Sequence, residues 1–124
     1  MTTQVERTLE PSQFRARLPW FTEVDEKGHA HIDGSAPGVM EQEIAYAHGA
    51  GLDYWAFLLY PHASPMSVAL GQYLRRPRRN RVNFCVILHN AFGVSDEQWP
   101  GERDRAVTLL QEPGYQTVLD GRPL

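Results

Sequence analysis

The chain has 124 residues, 42% of them hydrophobic and 22% charged, and carries a formal net charge of -3. That composition suits one compact globular domain and gives no general attraction for nucleic acid. The longest apolar runs have strand length and the N-terminus lacks the apolar core of a signal peptide, so a membrane span is not expected and the cytoplasm is the expected compartment.

Residues 1–13 are mostly polar and are expected to form a flexible N-terminus, ahead of a single α/β domain over residues 14–124. Trp20 to Asp25 and His29 to Asp33 flank Glu26-Lys27-Gly28, a composition that predicts a β-hairpin with glycine in the turn. His29 and His31 would share a strand face and supply half a metal site. A third ligand nearby in sequence is lacking, so an exposed hairpin face is the expectation and no metal is assigned. Asp25 to Gly28 lacks calcium-loop spacing and reads as a turn.

Ser35 to Pro37 opens a predicted helix in which Met40, Ile44 and Ala47 recur at helical spacing while Glu41 and His48 point elsewhere; Gly49 and Gly51 supply its exit. The following run, residues 52–62, is an apolar strand that ends in the polar and aromatic lip Tyr60-Pro61-His62. Ser64 can cap a second helix with Pro65 at its first position, Met66, Leu70, Tyr73 and Leu74 on its apolar face, and Pro77 as its stop. Residues 82–90 repeat the strand pattern and again end in polar residues, His89 and Asn90. Because neither run alternates, both faces of these strands are expected to be covered. A third helix is expected from about Glu102 to Gln111, with Ala106, Val107, Leu109 and Leu110 apolar, and Gly121 to Leu124 reads as the start of another strand.

Cys85 is the only cysteine and falls inside the second strand, which excludes a disulfide within the chain and suggests a small core residue. The basic run from Arg75 to Arg81 reads as a solvated helix end, not a nucleic-acid patch. No G-x-G-x-x-G, Walker or G-x-S-x-G pattern occurs, so neither nucleotide binding nor a serine nucleophile is supported, and no cofactor is expected.

The remaining constellation is positional. Helices alternating with parallel strands connected by right-handed crossovers bring the strand C-termini to one rim, where Tyr60 and His62 would stand beside His89 and Asn90. Rings, imidazoles and an amide suit a glycan, giving flat surfaces to its C–H groups and directional partners to its hydroxyls. In the plainer reading these residues only end the strands and are satisfied by the loops.

Three segments also resemble glycoside hydrolase family 99-like proteins, which include endo-α-mannosidase-like enzymes and relatives associated with bacterial polysaccharide biosynthesis. They are Glu43 to Phe57, Val82 to Leu88, and Pro113 to Leu124, the last being the most specific, with its tyrosine, short spacer and Gly121-Arg122-Pro123. The resemblance spans residues 20–124 and implies a (β/α)₈ barrel acting on glycans. It also implies an incomplete TIM-barrel-like unit, without the first strand upstream of Phe14 and with the catalytic acids on later strands beyond Leu124. None of the fifteen acidic residues falls at a predicted strand C-terminus, so no catalytic residue is assigned and the chain alone is expected to be inactive. The alternative is a non-catalytic α/β interaction module or remnant that completes its sheet by self-association through exposed edges.

Overall fold

The structure, a computed structural model, describes residues 2–88 and 94–124. The chain divides into two compact units, Met1–Val39 and Met40–Leu124, so the boundary lies well inside the single domain expected from residue 14.

In the first unit, the polar N-terminus expected to lack order forms helix α1, Thr2–Leu9. Its Glu6 carboxylate accepts the backbone N–H of Ile32 at 2.7 Å, a tertiary contact that rewards helix formation in a run too short to be stable alone. A 3₁₀ turn over Ser12–Arg17 leads to the expected hairpin, β1 (Thr22–Val24) antiparallel to β2 (Ala30–Ile32), with Glu23 opposite His31. Asp25 closes the turn by accepting the N–H groups of Lys27 and His29 at 2.9 and 2.8 Å. Gly28 has φ +87°, a backbone conformation that favours glycine; a Cβ there would stand 2.8 Å from the Arg15 guanidinium, the far end of a flexible side chain that can yield.

The second unit is a mixed α/β structure. Helix α2 (Val39–Gly49) buries the three predicted residues Met40, Ile44 and Ala47. It ends in a Schellman motif, in which the Leu52 and Gly51 N–H groups reach the Ala47 and His48 carbonyls and Gly51 takes φ +77°. Strand β3 (Tyr54–Leu58) follows, then a 3₁₀ turn over Pro65–Ser67 and helix α3 (Val68–Leu74), with the Ser64 hydroxyl capping Met66 N–H at 3.2 Å. Strand β4 (Asn83–Ile87) runs parallel to β3, pairing Trp55 with Phe84 and Phe57 with Val86. Helix α4 (Trp99–Leu110) comes next. After it the chain returns to the far side of β4 through a parallel bridge between Phe84 and Tyr115, with Phe84 N–H to Gly114 O at 3.0 Å and Gln116 N–H to Phe84 O at 2.6 Å. β4 is therefore flanked on both sides. This hides the small Cys85, only 5% exposed, and burial pushes its thiol pKa up.

One buried cluster joins residues of α2, α3 and α4 to the strands. At its centre the fully buried Tyr73 ring lies 5.9, 5.4 and 5.4 Å from those of Trp55, Phe57 and Phe84, and its hydroxyl donates to the Val82 carbonyl at 2.6 Å. Side chains alternate along a strand, so Tyr54, Ala56, Leu58, Cys85 and Ile87 belong to the opposite face, where Cys85 is buried. Tyr54, Ala56 and Ile87 are exposed. The expected coverage of both faces is thus not found among the described residues: the helices direct their apolar side chains to one face only. Two further expectations are corrected. Val107 and Leu110 of α4 are exposed, because Ala106 and Leu109 alone reach the cluster. The last segment leaves the parallel sheet and forms an antiparallel hairpin, β5 (Thr117–Val118) with β6 (Arg122–Pro123), through a three-residue loop at Leu119, Asp120 and Gly121 with φ 44°, 64° and 94°.

Replacing Tyr73 by Phe keeps the ring and orphans the Val82 carbonyl, and is expected to lower stability by about 1–3 kcal/mol in urea denaturation. An unchanged midpoint would show that the hydroxyl bond contributes nothing to the core.

Candidate functional site

Parallel pairing puts the C-terminal ends of β3 and β4 side by side, and the Leu59 N–H to Ile87 O bond at 3.0 Å carries the ladder one residue past β3. Beyond it the chain turns through Tyr60, Pro61 and His62, whose main chain is held by side chains from two helical segments. The Tyr60 carbonyl accepts Arg105 Nη1 at 2.7 Å. The Ser67 hydroxyl lies within hydrogen-bond reach of the Tyr60 and Pro61 carbonyls, at 3.0 and 2.9 Å. The His62 N–H donates to Glu102 Oε1 at 2.8 Å, while Glu102 Oε2 accepts Arg105 Nη1 at 3.0 Å. Arg105 and Glu102 stand three residues apart on α4, so helical geometry aligns both on the face that meets this loop.

This arrangement modifies the plainer reading of the lip. The loop is satisfied through its backbone, which leaves the Tyr60 hydroxyl and the His62 imidazole without hydrogen bonds among the described residues. Tyr60 is half-buried and His62 exposed. His89 and Asn90, the other two residues assigned to the rim, lie outside the described residues. Tyr60 and His62 are brought to the expected end of the sheet on one rigidified loop.

Glu102, Arg105 and Ser67 were not singled out by sequence. The Glu102–Arg105 spacing was a visible i, i+3 ion-pair signal, but nothing in the chain order said that it would meet a loop some forty residues earlier. Burial raises the Glu102 pKa, yet the hydrogen bonds from His62 N–H and Arg105, with the nearby charges, outweigh it and hold the carboxyl below the ordinary glutamate value.

The basic run is more than a solvated helix end. Arg76 pairs with Glu41 at 2.8 Å, and Arg79 pairs with Glu112 at 2.8 Å while donating to the Pro113 carbonyl. These bonds fasten the segment before β4 to α2 and to the end of α4. Among the described residues no group of three His, Cys, Asp or Glu side chains could hold a metal ion. His29 instead turns its Nδ1 toward Asp25 Oδ2 at 3.1 Å. No helix among the described residues is long and apolar enough to cross a membrane.

Comparison of the chain with protein-family models, curated proteins and solved structures gives no match.

Because the Glu102 pKa is depressed, the clamp contributes stability above the ordinary glutamate pKa and loses it as pH falls through the lower folded value. The His62 amide resonance is expected to titrate with a midpoint below that of free glutamate, and Glu102→Gln should abolish the transition. A midpoint at or above the free value would refute the clamp.

Proposed function

We propose that the chain is a segment of a glycoside-hydrolase-like (β/α) barrel and that the rim beyond β3 and β4 takes part in binding a glycan. The observation that carries this reading is the strand order: β3, β4 and the Tyr115 bridge lie side by side in chain order and parallel, with the helices feeding one face of the sheet and the other face open. Barrels are wound in this way, with helices outside, strand neighbours in sequence order and ligands taken at the C-terminal rim. The family resemblance of residues 20–124 supports the same reading.

In this proposal Tyr60 offers a ring to a sugar face and His62 a directional partner to a hydroxyl; His89 and Asn90, expected from the sequence at the same rim, lie outside the described residues. The chain's part is binding, not acid catalysis. Glycoside hydrolysis needs a carboxyl with a raised pKa as proton donor. Glu102, whose carboxylate holds the rim loop, has a lowered one and is engaged by His62 N–H and Arg105. A second reading, an α/β module that completes its sheet with another copy, draws on the exposed Tyr54, Ala56 and Ile87 of the open face.

Titrating the chain with manno-oligosaccharides while following amide resonances tests the first reading. Shifts are expected at residues 60–62, with affinity reduced about tenfold by Tyr60→Ala. Absence of shifts there, or affinity unchanged in Tyr60→Ala, would overturn it. For the second reading, light scattering over a concentration series should show a dimer that Ile87→Lys disperses, whereas a monomer at every concentration would exclude it.

A further inference from the structure

A groove of about 550 Å³ runs between α3 and α4 on the helical side of the unit, within the range of small-molecule sites. We propose that this groove binds a small aliphatic anion, a carboxylate- or phosphate-headed molecule with a hydrocarbon body. Among the described residues assigned to the glycan rim, His62 also lines this groove; the proposal rests on Arg75 and the leucine floor.

The floor is aliphatic. Leu70 and Leu109 are 3% and 5% exposed, and Leu74 and Val68 extend the apolar surface outward. Among the described residues no Phe, Tyr or Trp lines the groove. Sugars favour aromatic faces, so the composition argues for a hydrocarbon occupant in place of a second glycan.

Charge then selects the head group. Arg105 is neutralised by Glu102, and Glu112, which also lines the groove, is neutralised by Arg79. That leaves Arg75, whose guanidinium has no ion pair or hydrogen bond among the described residues. It folds back across Gly71, where a Cβ would come within 3.4 Å of Nη1. Gly71 thus gives the cation a path along the helix surface at the groove. The exposed imidazole of His62 lines the same groove and can donate a further hydrogen bond to an anionic oxygen. A cation unpaired among the described residues, beside a leucine floor, is matched by an anionic head on an aliphatic chain, since a charge-assisted bond and apolar burial then act together.

Isothermal titration calorimetry on the full chain with octanoate, octyl phosphate, 1-octanol and inorganic phosphate tests the proposal. Octanoate and octyl phosphate are expected to bind comparably, with 1-octanol and inorganic phosphate each at least about tenfold weaker. Arg75→Gln and Val68→Glu both alter exposed positions and are expected to leave the thermal midpoint unchanged while weakening octanoate about tenfold. Octanol binding as tightly as octanoate, or Arg75→Gln binding like the unmodified chain, would overturn the assignment. Binding to phosphatidylglycerol vesicles without binding to free octanoate would also overturn it, in favour of a lipid surface.

Discussion

The buried ring and hydroxyl of Tyr73 are the constraint on which the rest of the second unit depends. α3 is the crossover between two parallel strands, and a crossover must be told both how closely to approach the sheet and where to stop. The ring answers the first by filling the space under Trp55, Phe57 and Phe84. The hydroxyl answers the second by binding the Val82 carbonyl immediately before β4 begins. Burying a phenol without a partner would be costly, so this single atom couples the packing of α3 to the starting position of the next strand.

Charged clamps then transfer that order to the periphery. Arg79 ties the approach to β4 to the end of α4, and α4 returns the favour at the other end of the sheet through Glu102 and Arg105. The helix that follows β4 in the chain thereby fixes the loop that follows β3. Tyr60 and His62 are presented by a loop whose main-chain groups are already engaged, which leaves their side chains without hydrogen bonds among the described residues and restricts the loop's conformational freedom.

What was legible in the sequence was local. The hairpin followed from Glu26-Lys27-Gly28 between two β-prone runs, and α2 followed from the spacing of Met40, Ile44 and Ala47. The parallel strands followed from two apolar runs separated by a capped helix. Apolar character alone could not tell which face would be covered: Ala56 and Ile87 are no less apolar in pattern than Phe57 and Val86, and only the arrangement of the helices leaves the former exposed. Val107 and Leu110 mislead for the same reason. The α1 helix was hidden because its reward, the Glu6 bond to Ile32, spans twenty-six residues. Of the candidate site, the positions of Tyr60 and His62 were readable from strand ends, whereas the groove between α3 and α4 arises only from how two helices pack.

The terminal hairpin has a consequence for the order of folding. A left-handed conformation is natural for glycine, asparagine or aspartate, as at Asp120 and Gly121, but the loop also asks it of Leu119, which is 75% exposed and gains little burial in compensation. Such a turn is a poor nucleus. What holds β5 and β6 together lies at their base, where Leu124 N–H reaches Gln116 O and the Tyr115 hydroxyl reaches Leu124 O. Those bonds need Tyr115 already seated against Phe84, so the hairpin closes late, as a passenger of a sheet assembled before it.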